Sequence, residues 1–173
     1  MLNVIENAEE KLDEARFFLD LMDRLEIKRA PFTKNRLVEV EFSFLLSAFL
    51  NACYSCGEQL RRDARYKEAI LEFRRRYPEF YQHGQDGGWR TKSVHFYPVK
   101  PKHDGYIPPP LDNIILRQRG DEPYVPPEPD SINFDFSIGE GHFYFSNEPY
   151  QNSICDLCAI HLQRLRELVE QCG

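Results

Sequence analysis

The chain has 173 residues, 42% hydrophobic and 13% aromatic, a composition typical of a globular domain and one that excludes a disordered chain. Its net charge of −6 excludes a protein that coats nucleic acid without specificity. No apolar run approaches the roughly 20 residues that a membrane span needs, so we expect one domain over residues 1–173 and no membrane contact.

Positive charge is concentrated in the middle of the chain. Residues 61–102 hold 11 of the 22 Lys and Arg residues, whereas acids dominate residues 1–26 and 112–140. A basic middle between acidic flanks can hold an anion locally. The first residues form a charged amphipathic pattern and not a signal peptide, and the five cysteines are an odd number. Both features predict a cytoplasmic protein with reduced thiols.

Two long helices are predicted first. Asn3 and Glu6 have the spacing of a capping box, and the apolar residues that follow recur at helical spacing, so helix 1 is predicted over about residues 3–27. After a break at residues 30–33, with Thr33 as the expected cap, helix 2 is predicted over about 34–62. Residues 42–54 are apolar nearly all round, which predicts that helix 2 is buried at the centre of the core.

Helix 3 is predicted over 64–77 and should end or kink at Pro78, before a loop over 83–88. Nine of the twelve prolines lie between residues 98 and 129, which excludes a helix there. A short strand is predicted over 113–118, and the alternation over 132–138 predicts a half-buried strand with 142–146 as its hairpin partner. Helix 4 should begin at Ser153 and continue to residue 172.

These elements predict a mainly α fold. The helical parts are residues 3–77 and 153–172, and a loop and β insertion occupies about 84–150. The simplest core is a four-helix up-and-down bundle, with a proline-rich insertion that contains the β-hairpin between helices 3 and 4.

The stretch from Trp89 to Pro98 is the candidate site. It holds the only tryptophan, and four residues separate Arg90 from His95. A histidine near neutral pH can take or give a proton, and an arginine can hold a phosphate through two hydrogen bonds. Together they are the minimum for cleaving RNA without a metal. The alternative is that Arg90 pairs with an acid and that His95 is an ordinary strand or turn residue.

Three segments of the chain carry a resemblance to a known group. They are ARFFLDLM at residues 15–22, FLLSAFLNA at 44–52 and RTKSVH at 90–95. These segments resemble a group of small bacterial proteins that is itself similar to the HEPN superfamily of four-helix bundles. The resemblance covers the helices and the motif, roughly half of the chain, and does not include the proline-rich insertion.

HEPN proteins carry an arginine, four to six residues and then a histidine, often with asparagine directly after the arginine; here Thr91 stands in that place. Active members are metal-independent ribonucleases of toxin–antitoxin and phage-defence systems, and they pair two motifs across a homodimer. Many relatives are not known to cleave RNA. The resemblance therefore implies no cofactor, a homodimer, and either a non-catalytic interaction or regulatory module with a protein partner or an RNA-binding endoribonuclease with Arg90 and His95 as its catalytic residues.

Other residues could support RNA binding. Arg76, Lys92 and Tyr97 are candidate RNA or phosphate contacts. Arg76 and His83 also have a loose motif spacing, but Pro78 lies inside it, so Arg90 and His95 are the preferred pair. The other aromatic residues of the insertion, including Tyr144, are expected to pack between hairpin and bundle, although Tyr144 could also face solvent.

The cysteines allow two interpretations. Cys53 with Cys56 and Cys155 with Cys158 form two Cys-x2-Cys pairs, which could make a four-cysteine zinc site. Both pairs lie in strongly helical, apolar stretches, which favours core thiols and no bound metal. His161, on the same face of helix 4, is expected to be a hydrogen-bonded core residue.

Overall fold

The computed structural model describes residues 3–83, 87–91, 102–103, 142–145 and 152–173. These residues form six helices, a 3-10 turn and two short strands. The helices are α1 (Val4–Lys28), α2 (Val38–Leu60), α3 (Lys67–Arg76), α4 (Pro78–Tyr81), α5 (Trp89–Thr91) and α6 (Ile154–Cys172), the 3-10 turn is Ala64–Tyr66, and the strands are β1 (Lys102–His103) and β2 (Phe143–Tyr144). The prediction of a mainly helical protein is confirmed, and no helix in the described ranges is long and apolar enough to cross a membrane.

Helices α1 and α6 begin where the sequence predicts. The Asn3 side chain accepts hydrogen bonds from the backbone of Ile5 and Glu6, and the Glu6 carboxylate accepts one from the Asn3 N–H at 2.8 Å. Ser153 and Asp156 make the same reciprocal pair at the start of α6. Each capping box satisfies backbone donors that have no partner within the helix, so both helix starts are set by neighbouring residues alone.

The start of helix 2 is a correction. Helix α2 begins at Val38, with Leu37 as its N-cap residue, and Thr33 is not the cap. Asn35 has a positive φ of 65°, a conformation that ends helical geometry. The Glu41 carboxylate instead reaches back to the loop and accepts hydrogen bonds from the backbone N–H of Phe32 at 2.6 Å and of Thr33 at 2.9 Å.

The single helix predicted over residues 64–77 is divided in the structure into a 3-10 turn and the helix α3. Asp63 caps a 3-10 turn before α3, and Pro78 begins the short helix α4 at its first position, where the missing N–H costs nothing. The four-helix up-and-down arrangement stays a prediction. Three helices are long, with 25, 23 and 19 residues in α1, α2 and α6, whereas α3, the fourth helix of the predicted bundle, has only ten.

The core lies mainly between α1, α2 and α6. Helices α1 and α2 pack along their lengths, and α6 packs mainly on α1. The largest fully buried side chains include Phe42, Phe49, Met22, Leu25 and Leu165. Most of α2 is buried as predicted, but Phe44 is 50% exposed, so this helix has an outward face as well.

Strand β2 has a partner that the sequence did not indicate. Phe143 pairs with His103 and Tyr144 with Lys102, antiparallel. The predicted strands over 113–118 and 132–138 lie outside the described residues, so the hairpin between 132–138 and 142–146 stays a prediction. Phe143 and Phe145 are buried, which confirms that they pack on the bundle, while Tyr144 is half-buried.

Candidate functional site

The short helix α5 positions Arg90. The Thr91 hydroxyl donates a hydrogen bond to the Gln82 carbonyl at 2.8 Å, and the Gly88 N–H donates to the same oxygen at 2.8 Å. A Cβ added to Gly88 would lie 2.7 Å from the backbone oxygens of Pro78 and Glu79, so only glycine allows this close approach. Residues 87–91 are therefore held firmly against α4. The Thr91 side chain thus helps to hold that backbone.

Trp89 belongs to the packing of this region. Its ring stacks on Phe145 with centroids 3.8 Å apart and meets Phe80 edge-on at 4.7 Å. Trp89 thus joins α4 to Phe145, the residue directly after β2. The only tryptophan of the chain has a packing role in the described residues, and this packing fixes the place from which the Arg90 side chain extends.

The Arg90 side chain lies on helix α2. Its guanidinium carbon is 3.9 Å from the ring centroid of Tyr54, and its Nε donates to the Asn51 Oδ1 at 3.4 Å. Arg74, from α3, places its guanidinium carbon 4.2 Å from the same centroid. We call these four residues, Asn51, Tyr54, Arg74 and Arg90, the Tyr54 cluster. Cation–π contacts of this kind hold both guanidinium groups in place.

Sequence reasoning missed Asn51, Tyr54 and Arg74 as neighbours of Arg90. The available signal was the spacing of Asn51, Tyr54 and Glu58, which follow one another every three to four residues along one side of α2. That spacing places them on a common face but cannot show which later segment packs there.

The Glu58 carboxylate lies beside the Tyr54 cluster. Glu58 forms ion pairs with Arg74 and with Arg61, each at 2.8 Å. Partial burial alone would raise the pKa of this carboxyl group, but hydrogen bonds from Arg74 and Arg61 outweigh that effect and lower it. Glu58 is therefore ionised at neutral pH, and it serves Arg74 and Arg61 and not Arg90.

Three of the predicted site residues, Lys92, His95 and Tyr97, lie outside the described residues. The prediction that Arg90 and His95 act together therefore stays a prediction. The described residues do not show the alternative in which Arg90 pairs with an acid, since its partners among them are the Asn51 amide and the Tyr54 ring.

Arg76 lies at a different place. It forms an exposed ion pair with Glu72 at 3.1 Å and lines a groove of about 180 Å³ between α3 and α6. Arg164 lies on the other side of this groove, with its guanidinium carbon 4.5 Å from the ring centroid of Tyr77. Within the described ranges, no residue lines this groove and also belongs to the Tyr54 cluster. The structure thus does not bring Arg76 and Arg90 into one cluster.

His161 is a buried core residue, as predicted. Its ring stacks on Phe80 with centroids 3.6 Å apart, and its Nε2 lies 2.7 Å from the Tyr81 hydroxyl. The other ring nitrogen, Nδ1, is buried and has no hydrogen-bond partner among the described residues. Burial, with a smaller effect from Arg164, lowers the pKa of His161 to about 3, so the imidazole is neutral at physiological pH.

The cysteine pairs are buried in the helical core. Burial raises the pKa of Cys56 to about 12 and also raises the pKa values of Cys53, Cys155 and Cys158. Metal binding and thiol exchange both need the thiolate form, which such burial disfavours. Within the part of the chain that the structure describes, no three His, Cys, Asp or Glu side chains are grouped so that they could hold a metal ion.

Comparison with known proteins adds no relative: no protein-family model, curated protein or solved structure matches this chain.

Proposed function

We propose that the chain is an HEPN-like, non-catalytic interaction module that assembles as a homodimer through the outward face of α2. The observation that supports this proposal is a stripe of exposed apolar side chains. Leu37, Val40 and Phe44 are 57%, 39% and 50% exposed. They follow one another by three and four residues, so they share one face of the helix. Exposed apolar side chains in a contiguous group are typical of interaction surfaces.

The occupant of this stripe is a second copy, because the stripe is complementary to itself. Leu37, Val40 and Phe44 are all apolar, so a two-fold axis near Val40 would pack the stripe of one copy against the same stripe of the other, as an isologous interface requires.

Phe44→Glu tests this assembly. We expect wild-type protein to have a dimer mass in light scattering at micromolar concentration and the variant to have a monomer mass, because the variant removes the apolar ring from the stripe and adds a charge that the interface would have to desolvate. Phe17→Glu is the matched control, since Phe17 is 58% exposed on α1 and lies outside the stripe. A monomeric wild type, or equal loss of mass in both variants, would contradict the proposal.

A second candidate function is that of a metal-independent endoribonuclease or RNA-binding protein of the toxin–antitoxin or phage-defence type. In this candidate Arg90 and His95 are the catalytic residues, and Arg76, Lys92 and Tyr97 contact RNA. The observation that favours it is the environment of Arg90. This residue lies beside a second arginine, Arg74, and forms no ion pair with a carboxylate among the described residues. Such a guanidinium can stabilise a charged phosphorane.

Cleavage of single-stranded RNA in the presence of EDTA tests this second candidate. If the chain is a ribonuclease, we expect His95→Ala to lower the rate by roughly 10²- to 10⁴-fold through loss of proton transfer, and Arg90→Ala to abolish cleavage as well. His83→Ala is the matched control, because His83 is exposed and belongs to the competing Arg76 spacing. Equal cleavage by wild type and His95→Ala would exclude this mechanism.

A further inference from the structure

We propose that the connection between α1 and α2 binds the surface of an anionic phospholipid membrane. We call residues 27–36, the end of α1 and the loop that follows it, the α1–α2 loop. Its apolar side chains would enter the boundary between headgroups and acyl chains, and its lysines would contact the headgroups. This inference goes beyond the assembly function, because the stripe of Leu37, Val40 and Phe44 takes no part in it.

The first argument is that the α1–α2 loop holds two large apolar side chains in solvent. Ile27 is 73% exposed, the largest value among the exposed large apolar residues that the structure describes, and Phe32 is 47% exposed. Full burial of one such side chain strengthens binding by about 10- to 100-fold. The loop thus gains from contact with an apolar phase.

The second argument is the charge of the same residues. The α1–α2 loop contains Lys28, Arg29, Lys34 and Arg36 and no acid, within a chain of net charge −6. Lys28 and Lys34 are exposed and form no ion pair among the described residues. Two solvated ammonium groups therefore lie within a few residues of the exposed apolar side chains, which is the combination that an anionic membrane attracts.

The neighbouring acids do not cancel this charge at the surface. Glu26 and Glu41 are buried, and Glu39 is half-buried. The exposed Asp23 lies one helical turn before Ile27, further from the loop. More distant acids are screened beyond the Debye length, which is about 8 Å at physiological ionic strength. The outer side of the loop is therefore positive although the whole chain is negative.

The third argument is that the backbone of the loop is fixed before any contact. The Glu41 carboxylate accepts hydrogen bonds from the N–H of Phe32 at 2.6 Å and of Thr33 at 2.9 Å, and from the Thr33 hydroxyl. Arg29 has a positive φ of 51°, and its N–H donates to the Leu25 carbonyl at 2.9 Å. Little backbone ordering would accompany binding, which reduces its entropic cost.

A membrane fits this loop better than a protein or RNA. Ile27 and Phe32 are five residues apart with cations around them, so they are two separate apolar points. A membrane boundary accepts separate side chains, whereas a protein interface needs a complementary surface of about 1,000 Å². An aliphatic side chain such as Ile27 has no ring on which an RNA base could stack. A second copy of the loop would be repelled by its like charge.

This proposal departs from the expectation of no membrane contact. That expectation follows from the lack of an apolar run long enough to span a bilayer, and a loop that lies at the membrane surface needs no such run. The exposure of Ile27 and Phe32, which carries the proposal, depends on how the folded chain packs.

Co-sedimentation with vesicles tests the charge of the loop. With phosphatidylcholine vesicles that contain about 30% phosphatidylserine, we expect half of the wild-type protein to sediment at on the order of 1 mM lipid, and far less with phosphatidylcholine alone. The double variant Lys28→Gln, Lys34→Gln should bind about 25-fold more weakly, because each lysine contributes about fivefold. The matched control is Arg62→Gln, Lys67→Gln, which removes two exposed cations beyond the other end of α2 and should change binding less than about twofold.

The apolar part of the site is tested by Phe32→Ser, which should weaken vesicle binding about tenfold. Phe17→Ser makes the same change at an exposed position in the middle of α1 and should leave binding within about twofold of wild type. Both side chains are exposed, so we expect both variants to keep the wild-type circular dichroism. Phe44→Ala should keep vesicle binding even where it lowers the mass in light scattering, which separates this proposal from the assembly proposal.

Insertion of the loop is measured with Phe32→Trp. The natural Trp89 is packed against Phe80 and Phe145, far along the chain from the loop. Lipids brominated on their acyl chains quench a tryptophan that enters the acyl boundary, so we expect them to quench Phe32→Trp and not the wild type.

The proposal is overturned if wild-type protein fails to sediment with phosphatidylserine vesicles, or sediments equally with neutral ones. Equal effects of Phe17→Ser and Phe32→Ser, or of the two double variants, would also overturn it, since the attraction would then not belong to the loop. If the protein binds single-stranded RNA through Lys28 and Lys34 but binds no vesicles, the loop is an RNA contact and the membrane proposal is wrong.

Discussion

His161 alone is expected to make the free energy of unfolding fall by about 1.4 kcal/mol per pH unit as the pH drops from 6.5 towards 3. In the folded protein the buried imidazole stays neutral until the pH nears about 3, whereas in the unfolded chain it takes up a proton near 6.5. The unfolded state therefore binds more protons within this interval. Stability is fully present above pH 6.5 and is lost as the pH falls, by roughly 4–5 kcal/mol over the whole interval.

His161→Phe should remove this pH dependence while keeping a ring against Phe80. The variant leaves the Tyr81 hydroxyl without its partner, which should cost about 1–3 kcal/mol at every pH. Urea unfolding at a series of pH values separates the two effects. The lost hydrogen bond lowers the free energy of unfolding equally at every pH, whereas the lost proton uptake changes how steeply that free energy depends on pH. His83→Phe, at an exposed histidine, should keep the wild-type slope. If His161→Phe also keeps the wild-type slope, then His161 is not buried and neutral in solution.

Phe143→Ala is expected to destabilise the protein by about 3–5 kcal/mol, as for other buried phenylalanines. Phe143 is 2% exposed, and its ring centroid lies 4.0 Å from that of Phe42 in the centre of α2. Its backbone N–H donates to the buried Glu26 carboxylate at 2.9 Å. The removed ring would leave a cavity between β2 and the bundle, and the two elements cannot both move to fill it.

Phe17→Ala is the matched control, because it makes the same change at a side chain that is 58% exposed. Its effect should stay within about 0.5 kcal/mol. Both free energies come from chemical unfolding of the purified variants. A cost for Phe143→Ala as small as that for Phe17→Ala would mean that residues 142–145 do not dock on the helical core in solution.

Predictions that depended on neighbouring residues were the most accurate. The start of α1 was predicted because Asn3 and Glu6 are three residues apart and satisfy each other, and the start of α6 was predicted at Ser153, where the structure shows the same kind of pair with Asp156. The predicted start of helix 2 was wrong, because Thr33 does not cap the helix although its residue type is common at caps. A positive φ at Asn35 and the carboxylate of Glu41, eight residues away from Thr33, decided the loop instead.

By itself the sequence determined the helical class, the caps of α1 and α6 and the burial of His161, Phe143 and Phe145, because periodicity and capping act over only a few residues. The tertiary structure alone decided which side chains meet. Arg90 reaches Asn51 across 39 positions, His161 reaches Tyr81 across 80, and Phe143 reaches Glu26 across 117. Contacts over such separations depend on how whole helices pack, and no local pattern encodes that packing. The neighbours of Arg90 are therefore decided by the packing of α5 against α2, which no stretch of sequence around Arg90 encodes.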